Sequence, residues 1–205
     1  MTDFATLKGK YTIENLSAEY GGPGLEIQQK GSEFKILLDR YIAEKPMTVL
    51  EVGQWKGSTL WYWLKYAQPG ATIIAMDINH SRANPESERW TFRPDVNLIW
   101  VTADSGKSET RDHIRMLAPM LDFVFIDGFH KFPTVRTDWE WYGRPAKLCA
   151  MHDINFTPDN DVAHLWREIK TQHKTEEYIE VTPVSGCWWG IGIVYPGEPF
   201  NAENR

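Results

Sequence analysis

The chain has 205 residues, 42% apolar and 24% charged, with a net charge of −6 at neutral pH. That length suits one domain with a substantial core. The acidic balance gives no basic footprint for nucleic acid, and no run approaches the ~20 apolar residues of a membrane span. The two cysteines, Cys149 and Cys187, are too few for a disulfide framework, so a cytoplasmic setting is the default. The first residues, Met1 to Lys10, lack the apolar stretch of a signal peptide. Ten tryptophans belong mostly in the core, with a few left to line a pocket.

In chain order, residues 1–24 read as an N-terminal appendage that ends in the loop Gly21-Gly22-Pro23-Gly24, and residues 25–205 as the main domain. Ser32 is placed to cap a helix whose apolar positions are Phe34, Ile36, Leu37, Leu38, Tyr41 and Ile42, and Pro46 ends it. Strands are expected at residues 48–50, running into Glu51-Val52-Gly53, and at 72–76, 97–101, 121–126 and 147–151. Helices are expected at 58–66, 109–117, 135–142 and 162–172, with a helical or irregular stretch at 86–92. Residues 178–181 and 188–194 read as two closing strands. Strict alternation of strand and helix predicts an α/β fold. Its form is a single-domain, Rossmann-like seven-stranded sheet with helices on both faces and a C-terminal antiparallel strand pair. The strands are continuous apolar runs, as doubly buried strands are.

In such sheets ligands bind beyond the carboxyl ends of the strands. Five acids fall there, each after a different strand: Glu51, Asp77, Asp104, Asp127 and Asp153. The first turn reads Glu51-Val52-Gly53-Gln54-Trp55-Lys56-Gly57-Ser58-Thr59. Its glycines permit a tight turn and close approach of a ligand to bare backbone. The plain alternative is an ordinary strand-to-helix turn. Asp77, at the end of the second strand, suits the two hydroxyls of a ribose. Dinucleotide binders use G-x-G-x-x-G to reach a pyrophosphate. Here Trp55 takes the second glycine's place and leaves little room for one. A smaller sulfonium nucleoside fits better, and an aromatic ring can sit against its cation.

On these residues the sequence resembles the class I S-adenosylmethionine-dependent methyltransferases. It is most similar to the catechol-type O-methyltransferases and the macrocin O-methyltransferase and cephalosporin hydroxylase-like branch. Glu51, Gly53, Trp55, Gly57 and Thr59 fill the family's first-turn pattern, and Asp77-Ile78-Asn79 its next landmark. Asp104 and Ser105 fall where adenine is commonly contacted. The segment 121–130, ending Ile126-Asp127-Gly128-Phe129-His130, is very close to the family's fourth strand and turn. His152-Asp153-Ile154 and Trp189-Gly190-Ile191-Gly192 match the macrocin-like branch. The resemblance implies S-adenosylmethionine bound by Glu51, Gly53, Trp55, Gly57, Thr59, Asp77, Asp104, Ser105 and Asp127.

It also implies a divalent metal at Asp127, His152 and Asp153. The family's oxygen ligands suit magnesium, whereas the imidazole of His152 suits a transition metal. The alternative is that the two aspartates meet a metal-free substrate and His152 bonds to nearby backbone. Methyl transfer to a hydroxyl needs the proton removed, by a metal that lowers its pKa or by a general base. The family's lysine three residues past the fourth-strand aspartate is His130 here, followed by Lys131. Asp127, His130 and Lys131 are therefore the catalytic candidates, with His130 as base or, alternatively, as a satisfied loop histidine.

Other side chains read as structural. Asp138 caps or pairs within its helix. Arg136 and Arg144 pair with acids near Glu140, and His164 and His173 lie on a solvated helix surface. Trp139 and Trp141 cannot share a helical face. Cys149 is a core thiol. The expected function is metal-assisted O-methylation of a small hydroxylated molecule. A cofactor-binding module without turnover and a nicotinamide-dependent oxidoreductase are the competing readings. The expected partner is a small-molecule acceptor, with no nucleic acid or membrane, and the oligomeric state is open, a homodimer included.

Overall fold

The computed structural model describes residues 27–155, 161–180 and 189–199. The appendage expected at residues 1–24 lies outside them, as does Cys187. Seven strands form one sheet among the described residues: β1 (Thr48–Val52), β2 (Thr72–Asp77), β3 (Asn97–Thr102), β4 (Phe123–Ile126), β5 (Leu148–His152), β6 (His173–Tyr178) and β7 (Ile191–Pro199). Their order is β3-β2-β1-β4-β5-β7-β6. The first five are parallel, and β7 runs antiparallel to both β5 and β6. The order reverses between β1 and β4, which opens a crevice at their carboxyl ends.

Alternation along each strand sends successive side chains to opposite faces. Val49, Ile73, Phe123, Phe125 and Ile193 face one core, covered by α1 (Gly31–Glu44) and α2 (Ser58–Tyr66). Leu50, Ile74, Val124, Met151 and Val194 face the other, covered by α3 (Ser108–Leu117), α4 (Thr134–Asp138) and α5 (Asp161–Ile169). The first core is rich in rings. Phe34, Tyr41, Trp63 and Phe123 meet at centroid separations of 4.9–5.4 Å, and the Tyr41 hydroxyl donates to the Trp63 carbonyl at 2.9 Å. In the second core the Trp166 ring packs flat on Gly192, where a Cβ would lie 2.4 Å from it. Cys149 is fully buried between the layers, and burial raises its thiol pKa.

Several local expectations are corrected. Ser32 is not a cap. The helix begins one residue earlier, and the Ser32 hydroxyl instead donates to Glu180. The stretch expected as helical or irregular at 86–92 is irregular with a short 3₁₀ turn, Glu88–Trp90, and a second 3₁₀ turn, His80–Arg82, precedes it. Helix α4 is shorter than the expected 135–142: after Asp138 the chain widens into a π turn, Trp139–Gly143. Strand β6 starts at His173, five residues before its expected start, and β7 starts at Ile191 and runs to Pro199. His173 therefore sits on a strand, half-buried, with its ring 5.5 Å from that of Trp139. Arg144 pairs with Glu140 at 2.8 Å as expected, but Arg136 reaches Glu168 instead.

Candidate active site

The carboxyl ends of β1 to β5 surround a cavity of about 780 Å³, large enough for a nucleoside and a small second ligand. Its base is set by the first turn. Gly53 has φ +87°, and a Cβ there would lie 2.3 Å from the Asp127 carbonyl oxygen, so only glycine lets β1 close against the β4 turn. Trp55 follows with φ +45°, a left-handed conformation that a bulky residue rarely adopts. Asp77 holds it there: its Oδ2 accepts from the Trp55 N–H and its Oδ1 from the Asn79 N–H, both at 2.9 Å. Each oxygen keeps a second lone pair for a ligand, and Asp77 lines the cavity. The Trp55 ring is covered by the Lys56 ammonium at 4.4 Å and the Arg82 guanidinium at 5.8 Å.

Of the residues singled out for a cofactor, Gly53, Trp55, Thr59, Asp77, Asp104, Ser105 and Asp127 line the cavity. Glu51 and Gly57 do not. Glu51 is fully buried beneath the turn, where its carboxylate accepts from the Thr59 hydroxyl. Burial raises its pKa to about 8, against the lowering effect of Thr59. Its position in the motif is structural: it ties the end of β1 to the start of α2. A Cβ on Gly57 would meet the Trp90 ring at 2.4 Å, so this glycine makes room for an indole rather than for a ligand.

The other end of the cavity is a cluster of four titratable groups. His152 Nδ1 lies 3.0 Å from Asp127 Oδ1 and 3.5 Å from Asp153 Oδ1. His130 Nδ1 lies 3.0 Å from Asp153 Oδ2, and its Nε2 lies 3.4 Å from Asp127 Oδ1. The Gln29 side-chain amide donates to Asp127 Oδ2. Burial opposes the charged form of Asp127, but the His152 charge and hydrogen bonds from both histidines outweigh it and lower its pKa to about 2. Burial likewise opposes the imidazolium of His130, yet bonds to Asp127 and Asp153 raise it to about 10. The pKa of His152 is raised in the same way, with burial again overcome by Asp127. Asp153 has φ +60°, an uncommon backbone state that gathers at functional sites.

The expected metal triad takes a different form. Asp127, His152 and Asp153 do converge: Nδ1 of His152 faces both carboxylates, while its Nε2 is buried without a hydrogen-bond partner among the described residues. Both Asp127 oxygens are engaged, one by the histidines and one by Gln29. Among the described residues no group of three or more His, Cys, Asp or Glu side chains is disposed to hold an ion. The donor types suit a transition metal, but the arrangement pairs two carboxylates with two imidazoles instead. Lys131, also a catalytic candidate, is exposed and is not part of the cavity wall.

Three walls went unread in the sequence. Gln29 precedes α1 without any periodic or motif signal. Gln54 lies inside the first turn, and its amide nitrogen is 2.8 Å from Nδ1 of the buried His80. Trp189 lines the histidine end of the cavity, its ring 6.0 Å from that of His152. The adjacent pair Trp188-Trp189 before a glycine was the available clue, because strand alternation cannot bury both on one face.

No protein-family model matches the chain, and no curated protein matches it. Solved structures do. The O-methyltransferase TomG from Streptomyces achromogenes, solved in complex with SAM, is 15% identical with a TM-score of 0.60, over 88% of this chain and 85% of that one. An O-methyltransferase from Bacillus cereus, in complex with SAH, is 14% identical with a TM-score of 0.59, over 90% of each chain. The MycE methyltransferase of the mycinamycin biosynthetic pathway, in complex with Mg and SAH, is 18% identical with a TM-score of 0.57, over 93% of this chain and 55% of that one. Likeness at these identities is a likeness of architecture: this chain has the Rossmann-like methyltransferase fold.

Proposed function

We propose that the protein is an S-adenosylmethionine-dependent methyltransferase that acts on a hydroxyl of a small molecule. The observation that carries this reading is the division of one cavity into two chemically distinct ends. At the first, Asp77 is fixed by two backbone N–H groups with lone pairs to spare for ribose hydroxyls. At the second, Asp127, His130, His152 and Asp153 form a buried network of proton carriers. The fold is shared with enzymes solved with SAM or SAH. Gly53, Trp55 and Thr59 would receive the methionine end of the cofactor, and Asp104 and Ser105 the adenine.

His130 is the proton acceptor in this reading. Despite burial, the setting of His130 between two carboxylates raises its pKa, which favours the imidazolium. A sulfonium entering beside Asp127 adds positive charge, which disfavours the imidazolium and moves His130 toward its neutral form. Neutral His130, oriented by Asp153, would then take the proton of an acceptor hydroxyl as its oxygen displaces the methyl group from sulfur, the S–C bond breaking and S-adenosylhomocysteine leaving as the neutral thioether. Asp127 and His152 hold this pair in place. A divalent ion at Asp127, His152 and Asp153 is the other form of the reading, and it would supply Lewis acidity to the acceptor oxygen. The mutual bonding of these side chains favours transfer without it, and no step here passes through an ion.

The reading extends to a cytoplasmic enzyme with a small-molecule acceptor. Among the described residues no helix is long and apolar enough to cross a membrane. The test is incubation of the protein with S-adenosylmethionine and a panel of phenols, sugars and polyketide alcohols, with mass spectrometry of the products. One added methyl on an acceptor oxygen supports the reading. Tight cofactor binding with no product across the panel favours a binding module, and tight binding of NAD instead overturns the assignment.

A further inference from the structure

Asp138, at the end of α4, is fully buried, and neither of its carboxyl oxygens meets a well-aligned donor among the described residues. A buried polar group without a partner is costly, more so when charged, and calls for a reason. Burial raises its carboxyl to about 6. Hydrogen bonding with Ser105 works the other way, and the charge of Asp104 adds to burial.

The surroundings of this carboxyl point to the cavity. Four residues on, across the π turn, the Tyr142 hydroxyl donates to the Ser105 carbonyl at 2.9 Å. A Cβ built on Gly128 would lie 3.8 Å from Asp138 Oδ2. Asp138 therefore lies behind both Ser105 and Gly128, and those two residues form the cavity wall while Asp138 does not. Tyr142 fixes the backbone of the turn after β3, which leaves the Ser105 side chain as the adjustable element. Single π turns of this kind gather at functional sites.

This inference rests on the cofactor reading above, in which the turn after β3 meets adenine. We propose that Asp138 is a positioning residue for purine recognition. Its carboxylate accepts the Ser105 hydroxyl proton, so the Ser105 oxygen presents lone pairs to the cavity and accepts from a 6-amino group. A 6-oxo purine offers another acceptor at that place, and two acceptors repel. The pocket then selects adenine over hypoxanthine through a residue that touches neither.

Calorimetric titration of the full chain with S-adenosylhomocysteine and with its 6-oxo analogue, S-inosylhomocysteine, tests this. The wild-type protein is expected to prefer the adenine compound by about 20-fold or more, as polar sites reject ligands that leave their groups unpaired. Asp138→Asn, whose amide can donate to Ser105 and turn its hydroxyl round, is expected to narrow that ratio to about threefold or less. Ser105→Ala should narrow it equally, and the double variant no further. Circular dichroism checks the fold, and if Asp138→Asn does not fold, Ser105→Ala alone decides. An unchanged ratio in the folded variants overturns the role of Asp138 and leaves the cofactor reading standing. Failure of the wild-type protein to bind either compound overturns both.

Discussion

The two ends of the cavity are built on different principles. At the β1 and β2 end, side chains bond to backbone: Asp77 grips two N–H groups, and Glu51 anchors α2 through Thr59. Such contacts are made within about two dozen residues of sequence and are set as soon as the turn forms. At the β4 and β5 end, side chains bond to side chains. Asp127 and Asp153 answer His130 and His152, with Gln29 brought in from ahead of α1. The first arrangement is rigid and pre-formed. The second holds its charges in mutual balance, which a charged ligand would shift. In the proposed reading, recognition belongs to the first end and proton transfer to the second.

The largest effect that would sharpen this contrast is expected at His130. Its replacement by alanine should lower turnover by about 10²–10⁴-fold, the range of general-base contributions, with cofactor affinity little changed. The pH profile carries the same information. Because the pKa of His130 is raised to about 10, only a small fraction is neutral at pH 7, and that fraction grows tenfold per pH unit. Turnover should therefore climb with pH above 7 and level off at or below 10, since a bound sulfonium lowers the midpoint. A flat profile from pH 7 to 9 would remove His130 as the base.

A smaller but still severe effect is expected at Gly53. Alanine there would set a methyl carbon 2.3 Å from the Asp127 carbonyl oxygen at φ +87°. The two ends of the cavity would be pushed apart, at a cost of about 3 kcal/mol or more. Thermal unfolding should register a drop of many degrees. An unchanged melting temperature would mean that the β1 and β4 tips do not touch as described.

Glu51 offers a subtler test of the rigid end. Its folded pKa is raised to about 8 from an ordinary 4.5. Between those values the folded state holds a proton that the unfolded state has released, so this group's contribution to stability falls as pH rises from about 4.5 to 8. Glu51→Gln removes that titration. The variant should gain stability relative to wild type at pH 8 to 9 and lose the gain near pH 4. Equal pH dependence in both proteins would show that Glu51 does not carry the buried proton. Smallest of all is the expected effect of chelation: dialysis against EDTA should change turnover less than about twofold, since no step needs an ion as a Lewis acid. A tenfold loss restored by magnesium or manganese would reinstate the metal.

The difference between the ends also explains what the sequence could reveal. The alternation of strands and helices, the cavity edge and the turn from Glu51 to Thr59 were legible because local spacing and chain alternation determine them. Even there a motif position does not tell whether a side chain faces the cavity or the floor, and Glu51 lies beneath the turn, bonded to Thr59. The protonation of His130 depends on two aspartates from different strands, and no local pattern reports such a meeting. Asp138 looked like a helix cap because its burial against Ser105 is tertiary. Strand β6 was misplaced because His173-Lys174-Thr175-Glu176-Glu177 is polar. At a sheet edge those side chains find partners, as Glu176 does with Arg40, Tyr178 and Tyr195, so burial is not needed to hold them.

The division of labour is tested most directly by titrating S-adenosylhomocysteine into three proteins: wild type, Asp77→Ala and Asp153→Ala. Loss of a carboxylate hydrogen-bonded to two ribose hydroxyls should weaken binding about 100-fold in Asp77→Ala, while Asp153→Ala should bind like wild type and fail to turn over. Undiminished affinity in Asp77→Ala, or an equal loss in both variants, would contradict the assignment of recognition to one end and chemistry to the other.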